Sequence, residues 1–149
     1  MADFLKICYT TYMNDIGFFQ GTFDILNAGH VRAFRLAKEQ CERLVVGLNS
    51  DRIVELERNR EAIIPYVQRK EILEGIKYID YITKADTIYA LPFLRKFNAD
   101  LYILTEEWAE RQKDALAYIE SIGGRHIFME RFPDIYCSSD IRARVRDLT

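Results

Sequence analysis

The sequence predicts an α/β fold, an open doubly wound sheet of about five parallel strands with helices on both faces. Short apolar segments alternate with longer segments of helical periodicity along nearly the whole chain. The segment at residues 44–48 is almost continuously hydrophobic, as strands of parallel sheets are. The length of 149 residues suits one domain with a full hydrophobic core.

Composition narrows the class of protein. Charged residues make up 30% of the chain and the net charge is −2, so nothing indicates a nucleic-acid-binding protein. The three cysteines, Cys8, Cys41 and Cys137, form no C-x-x-C pair and favour neither a disulfide scaffold nor a zinc site. With no secretory or membrane-spanning pattern, this cysteine usage predicts a cytoplasmic protein.

Each predicted element follows from its local pattern. The predicted strands are the short apolar segments 16–20, 44–48, 78–82, 101–104 and 125–130. The predicted helices are the segments between and after them, 30–40, 51–60, 65–76, 87–97, 106–124 and 138–148. Pro65 lies near a helix start, Pro92 interrupts a helix, and Gly123 and Gly124 end one. Ser138 and Ser139 are the two N-cap candidates of the last helix.

Two loops are predicted to meet at the carboxyl edge of this sheet, where open α/β folds bind ligands. The first is "GTFDILNAGH", residues 21–30, and the second is "FPDIYCSS", residues 132–139. Gly21 permits a tight turn, and His30 stands at the start of a helix, where free N–H groups favour anions. A histidine at a helix start is in most proteins a cap or a surface residue. The two loops together favour a triphosphate site.

These segments carry a resemblance to a known family. "GTFDILNAGH" resembles the G-x-F-D-x-x-H-x-G-H element of the nucleotidyltransferase superfamily that contains the cytidylyltransferases, and "YCSSDIRARV" resembles its I-S-[ST]-[ST]-x-I-[RK] element. Between them, "PYVQRKEILEGIKYIDYI" and "LTEEWAERQKD" are similar to two further family segments, in family order. The resemblance covers residue 16 to about residue 146 and implies a Rossmann-like single domain over residues 16–149.

The resemblance implies transfer of a nucleotidyl group from a triphosphate with Mg²⁺ to a small phosphorylated acceptor. CTP and glycerol 3-phosphate are the favoured pair, and ATP with a sugar phosphate is the alternative. His30, Asn27 and Arg69 would act in catalysis, with Arg69 holding the incoming phosphate. The resemblance assigns the nucleotide to Gly21, Thr22, Phe23, Asp24, Gly29, Arg131, Ser138, Ser139 and Arg142.

Three further residues are assigned to substrate binding, and one to the metal. Arg58 and Arg60 stand where the family carries lysines on a mobile loop, and Trp108 either has a nucleotide-side role or packs in the core. Asp24 would orient the site or hold Mg²⁺. Arg69 has a simpler alternative, a solvated helix residue paired with a neighbouring glutamate.

The sequence departs from the family at two site positions. Asn27 replaces the first histidine of H-x-G-H and cannot carry charge, and Thr105 replaces a glycine in the base region. Three alternatives follow from Asn27: an active variant, a slow enzyme, or a nucleotide-binding module that has lost catalysis. The family implies a homodimer. Residues 1–15 form a predicted N-terminal extension, either an extra edge strand or a dimer arm.

Overall fold

A computed structural model describes residues 14–149 of the chain. Its centre is one sheet of five parallel strands in the order β3-β2-β1-β4-β5. The strands are β1 Ile16–Gly21, β2 Arg43–Asn49, β3 Tyr81–Ala85, β4 Leu101–Leu104 and β5 Arg125–Phe128. This confirms the predicted Rossmann-like fold. Most of the predicted extension, residues 1–13, lies outside the described residues.

Helices connect the strands and cover both faces of the sheet. They are α1 Ala28–Lys38, α2 Asp51–Arg58, α3 Tyr66–Glu74, α4 Leu91–Phe97, α5 Lys113–Ser121 and α6 Ser138–Asp147. Two short 3₁₀ turns, Glu106–Trp108 and Glu110–Gln112, stand between β4 and α5. No helix among residues 14–149 is long and apolar enough to cross a membrane.

The alternation of side chains along β1 divides the core into two layers. Phe19 packs with Phe34 of α1 and Leu73 of α3 on one face. Phe18 packs with Leu94 of α4 and with the α5 helix on the other. Because successive side chains of a strand point to opposite faces, two adjacent phenylalanines anchor both layers.

The third strand begins later than the sequence predicts. Residues 78–80 belong to a turn in which Ile79 N donates to the Ile76 carbonyl. The carboxylate of Asp80 then accepts from the backbone N–H of Leu44 at 2.7 Å and from Lys38 Nζ at 2.6 Å. Tyr78 and Ile79 pack against the core from this turn. The apolar pattern of these residues predicts a strand because they are buried, but they belong to the connection before β3.

Two helix predictions also need correction. Pro92 lies in the first turn of α4, where its missing N–H is tolerated, so it does not interrupt a helix. The segment predicted as one helix from residue 106 to 124 divides into the two 3₁₀ turns and α5. Gly123, with a φ of +72°, follows the end of α5, as the glycine pair predicts.

The topology places a crevice at the carboxyl end of β1. From β1 the chain proceeds outward through β2 to β3, and it then returns to the other side of β1 as β4. The connections after β1 and β4 consequently diverge, which is the usual position of a ligand site in such sheets.

Candidate active site

The loop after β1 and the first turn of α1 are held by reciprocal capping. Asn27 Oδ1 accepts from Gly29 N at 3.0 Å, and Asn27 N donates to His30 Nδ1 at 3.2 Å. Both are short local bonds that the N-x-x-H spacing makes possible, in the manner of a capping box. The cap therefore fixes the start of α1 and the orientation of the imidazole.

The state of His30 follows from this geometry. Because Nδ1 accepts a hydrogen bond, the neutral ring carries its proton on Nε2. The ring lies edge-on to Phe23, with their centroids 5.4 Å apart, and burial lowers the pKa of His30 below its usual range. His30 is thus an oriented neutral donor at a helix N-terminus.

The N-terminus of α6 lies beside that of α1, and its N-cap is Cys137 and not Ser138 or Ser139 as predicted. Ser138 Oγ donates to the Ile25 carbonyl at 3.2 Å, and Asn27 Nδ2 donates to Ser138 Oγ at 3.3 Å. Asn27 Nδ2 also donates to the Ile25 carbonyl at 2.9 Å. Two helix N-termini that are remote in sequence therefore point their free N–H groups at the same region.

A cleft of about 230 Å³ opens beside these helix ends. The predicted site residues that line it are Gly21, Thr22, Phe23, Asp24, His30, Arg58, Arg60, Trp108, Ser138 and Arg142. A second hollow on the other side of His30 contains Asn27, Gly29 and Arg131. Ser139 is exposed and lines neither. Three arginines, two helix N-termini and one histidine make this region suited to a polyphosphate.

Comparison with known proteins agrees with this arrangement. The family model described as "Cytidylyltransferase-like" matches residues 18–144, which include both helix N-termini and the cleft. The chain belongs to the cytidylyltransferase-like family. Its predicted enzyme class, a nucleotidyltransferase, is confirmed at the level of the family.

Several relatives place the chain within this family. It is 31% identical over 115 residues to the bifunctional protein HldE of Hyphomonas neptunium, covering 76% of this chain and 24% of that protein. It is 30% identical over 95 residues to the glycerol-3-phosphate cytidylyltransferase of Staphylococcus aureus, covering 59% of this chain and 67% of that protein. It is 31% identical over 118 residues to the FAD synthase of Pyrococcus horikoshii, covering 78% of each. The chain spans about a quarter of the length of the HldE proteins it matches.

A solved structure shares the fold. The lipopolysaccharide core biosynthesis protein from Thermoplasma volcanium aligns with a TM-score of 0.66 at 17% identity, covering 78% of this chain and 97% of that one. At this identity the likeness supports the Rossmann-like architecture alone.

Asp24 does not fit the metal role that its family position suggested. Its Oδ1 accepts from Ile64 N at 2.8 Å, and its Oδ2 accepts from Ile63 N at 3.0 Å and from Arg60 Nη1 at 3.1 Å. Burial alone would raise the pKa of Asp24, but these hydrogen bonds and the Arg60 charge outweigh it and lower the pKa. Among residues 14–149, no group of three or more His, Cys, Asp or Glu side chains is arranged to hold a metal ion. Asp24 instead anchors the segment that carries Arg60.

Arg69 is buried, which contradicts its predicted contact with the incoming phosphate. Its Nη1 donates to the carbonyls of Thr22 at 2.7 Å and Asn49 at 2.9 Å. Its Nε donates to the Ile64 carbonyl at 2.8 Å, and its Nη2 pairs with Asp51 at 2.7 Å. Because its donors are occupied, Arg69 joins the ends of β1 and β2 to the segment before α3. Arg69 therefore positions the loops that follow β1 and β2 from inside the fold.

Trp108 packs in the core, which was one of the two alternatives, and its nucleotide-side role stays a prediction. It packs against the second core layer and also lines the cleft. The guanidinium of Arg111 lies over its ring at 5.0 Å and forms two hydrogen bonds, 2.7 and 3.1 Å long, with Glu57 of α2. The ion pair thus links the two sides of the cleft above Trp108.

Sequence reasoning missed the polar side chains at the ends of β1 and β2. Gln20 and Asn49 both line the cleft; Gln20 Nε2 donates to Asn49 Oδ1, and Asn49 Nδ2 donates to Thr22 Oγ1. The available signal was a polar residue at the last positions of two otherwise apolar strands.

Proposed function

We propose that this chain transfers a cytidylyl group from CTP to a small phosphorylated alcohol such as glycerol 3-phosphate, with release of pyrophosphate. The observation that carries the proposal is the convergence of His30 and Ser138, at two helix N-termini, on a cleft that also contains Arg58, Arg60 and Arg142. The likeness to a protein named glycerol-3-phosphate cytidylyltransferase supports the choice of substrates.

The reaction needs positioning and charge stabilisation. A phosphate oxygen of the acceptor attacks the α-phosphorus and forms the new P–O bond. The bond from the α-phosphorus to the bridging oxygen breaks, and its electron pair leaves with pyrophosphate. His30 Nε2–H donates to an α-phosphate oxygen as charge builds there. The N–H groups at the start of α6 and the Arg142 guanidinium would hold the leaving phosphates.

The bound triphosphate would change the protonation of His30. In the free protein, burial lowers the pKa of His30 and keeps the ring neutral at neutral pH. A neighbouring phosphate charge favours the imidazolium and raises the pKa again. The histidine then offers a charged donor at the stage when the phosphate charge is greatest.

Mg²⁺ would arrive with the triphosphate, held by phosphate oxygens and water. Asp24 is committed to Arg60 and two backbone N–H groups, so no step is assigned to a protein-bound metal. Homodimeric assembly and a cytoplasmic location stay predictions from the family resemblance and the cysteine usage.

Asn27 favours a second candidate, a nucleotide-binding module with weakened catalysis. Its Nδ2 is committed to Ile25 O and Ser138 Oγ and its Oδ1 to Gly29 N, so the amide maintains the site without a free donor for phosphate. Asn27→His decides between the two functions. A weakened enzyme should gain turnover from the imidazole, whereas a binding module should bind triphosphate tightly and show no turnover in either form.

The direct test combines binding with turnover. Thermal stabilisation by each of the four nucleoside triphosphates with Mg²⁺ identifies the nucleotide, because a ligand that binds the folded state raises the melting temperature. Pyrophosphate release with glycerol 3-phosphate then measures transfer. His30→Ala should lower this rate by roughly two orders of magnitude, while the exposed His126→Ala serves as the control.

The outcomes separate the alternatives. Stabilisation by ATP alone would replace CTP and glycerol 3-phosphate with ATP and a sugar phosphate. Wild-type turnover in His30→Ala would overturn the catalytic role of His30. If no triphosphate stabilises the protein, the proposed function is wrong.

A further inference from the structure

Two walls of the cleft come from connections on opposite sides of β1. One wall is the end of α2 with the segment after it, which contributes Arg58 and Arg60. The other wall is the connection after β4, which contributes Trp108 and Gln112. Because β2 and β4 flank β1 in the sheet, the separation of these two walls sets the width of the cleft.

One ion pair joins the two walls. Arg111 Nη1 donates to Glu57 Oε2 at 2.7 Å, and Arg111 Nη2 donates to Glu57 Oε1 at 3.1 Å. In the described part of the chain, no other side-chain hydrogen bond connects residues 51–65 with residues 105–112. The two parallel bonds between guanidinium and carboxylate fix the relative position of their partners. The separation of the walls therefore depends on this pair.

The pair lies at the rim of the cleft. Glu57 precedes Arg58, and Arg111 precedes Gln112; these two neighbours line the cleft, whereas the pair itself does not. The side chains of Arg111 and Glu57 are 47% and 26% exposed, so the pair faces solvent. The guanidinium of Arg111 also lies over the ring of Trp108, 5.0 Å from its centroid. The contact therefore crosses the rim from α2 to the indole.

The cleft is small for the ligand that its residues favour. Its volume is about 230 Å³, whereas pockets for small ligands usually measure about 300–1,000 Å³. A nucleoside triphosphate with a second substrate therefore needs the two walls farther apart. The strands themselves cannot separate without breaking the sheet, so the connections after β2 and β4 are the parts that move. The pair of Glu57 and Arg111 holds these connections together.

The strength of the pair suits a contact that opens and forms again. Both partners are charged at neutral pH, since the hydrogen bonds from Arg111 lower the pKa of Glu57. Water and salt compete with an exposed ion pair, so such a pair shifts a conformational equilibrium by only about two- to fivefold. It can thus favour the narrow cleft without preventing its opening.

We propose that Glu57 and Arg111 form a latch between the two walls, which must open for a nucleoside triphosphate to enter or leave the cleft. The proposal rests on the proposed function for the identity of this ligand. The closed latch excludes the ligand from the free protein and retains it in the complex. It therefore slows association and dissociation by the same factor and leaves the dissociation constant unchanged. Both are positioning residues, because they act on the walls and not on the reacting atoms.

The first experiment needs no ligand. Trp108 is the only tryptophan of the chain, so collisional quenching of its fluorescence by acrylamide reports access to the ring that Arg111 covers. Glu57→Gln keeps the size of the side chain and removes its charge, and it should raise the quenching constant. Glu74→Gln is the matched control, because it breaks an exposed pair with Lys70 that lies within α3. Equal quenching of Glu57→Gln and the wild type would overturn the latch.

The second experiment measures ligand exchange by stopped flow. The probe is the N-methylanthraniloyl derivative of CTP with Mg²⁺, or of ATP if only ATP stabilises the protein, and energy transfer from Trp108 reports its binding. Glu57→Gln should raise the association and dissociation rate constants by about two- to fivefold each and leave their ratio unchanged. Glu74→Gln should keep both wild-type rate constants.

Other kinetic results would overturn the proposal. Loss of one negative charge by itself would accelerate association of the anionic probe and slow its dissociation. Faster dissociation with unchanged association would mean that Glu57 contributes to affinity alone. Either result would show that the pair does not act as a latch.

A double variant tests whether the two residues act together. Glu57→Gln combined with Arg111→Gln should release the probe no faster than the faster of the two single variants, because both changes break the same contact. Additive acceleration would mean that the two charges act separately, and the proposal would be wrong. If neither derivative binds, the proposed function is wrong, and acrylamide quenching of Trp108 still decides whether the latch exists.

Discussion

Two loops border the site, and they are secured in very different ways. Residues 59–65, the α2–α3 loop, are held by Asp24 and Arg69, whose exposed fractions are 5% and 1%. Residues 129–137, the β5–α6 loop, are tied to α1 by the pair between Arg32 and Asp134, whose side chains are 35% and 64% exposed. Both attachments include an ion pair with an N···O distance near 3 Å.

The two ion pairs have similar N···O distances but differ in burial, and burial determines how much each attachment contributes to stability. The groups that hold the α2–α3 loop are themselves buried and bond to its backbone N–H and carbonyl groups, so their removal leaves unpaired polar atoms in a partly buried region. The ion pair of the β5–α6 loop competes with water at each end, and Arg32 additionally covers the ring of Phe132 at 5.0 Å. This ion pair should therefore contribute much less to stability than the buried contacts of the α2–α3 loop.

Among the variants that compare the two loops, Arg69→Met should have the largest effect on stability. It removes four hydrogen bonds from a buried guanidinium and should lower the free energy of unfolding by about 3–5 kcal/mol. Urea denaturation measures the change. Arg35→Met on the exposed side of α1 is the matched control, since its contact with Glu39 is 4.0 Å long and in water. Equal stability of the two variants would show that the buried network contributes nothing.

Asp24→Asn tests the attachment of the α2–α3 loop with a smaller change. The side chain keeps its size, but the loss of charge weakens the bonds from Ile63 N, Ile64 N and Arg60. We expect a loss of about 1–3 kcal/mol in the free energy of unfolding. Amide hydrogen exchange at Ile63 and Ile64 should accelerate as well. Unchanged protection at these two amides would contradict the role of Asp24 as the anchor.

The pH dependence of stability tests the burial of His30, which lies between the two loops. Its folded pKa is lowered, so below the ordinary value of 6.5 the unfolded state binds more protons than the folded state. Stability should therefore fall as pH drops from 6.5 toward the lowered pKa, and it should be complete above 6.5. His30→Asn should remove this dependence of the melting temperature on pH, while His126→Asn should retain it. A slope that survives in His30→Asn would place its origin elsewhere.

Asp134→Asn should have the smallest effect. The bidentate pair with Arg32 is exposed, so its loss should leave the free energy of unfolding within experimental error of the wild type. Urea denaturation of this variant and of Arg69→Met under the same conditions compares their free energies of unfolding directly. A large loss of stability would mean that this ion pair holds the β5–α6 loop as firmly as the buried contacts hold the α2–α3 loop.

The sequence pattern predicted correctly those features that depend on local residue type and periodicity. Alternating strands and helices predicted the sheet, and the glycine pair at 123 and 124 predicted the end of α5. Motif order also predicted that His30, Ser138 and the cleft arginines lie beside one cleft, because strand ends meet at one edge of the sheet. Their roles in binding and catalysis stay predictions.

It failed where burial determines the role of a charged residue. Arg69 stands three residues after Tyr66 and four before Leu73, on the stripe of α3 that faces the core, and that spacing was a usable sign of burial. For Asp24 no sequence signal existed, since its partners Ile63 and Ile64 lie about forty positions away and use their backbone N–H groups. Tertiary contacts to the main chain leave no trace in side-chain patterns.

The hydrogen bond between Asn27 and Ser138 spans 111 positions of the chain. A contact of such separation forms only after the intervening strands have assembled, because closing so long a loop has a large entropic cost until the sheet offsets it. The transition state for folding should therefore lack the completed site. A triphosphate would then slow the rate of unfolding and leave the rate of folding unchanged, so the ligand would extend the lifetime of the native molecule without helping it to form.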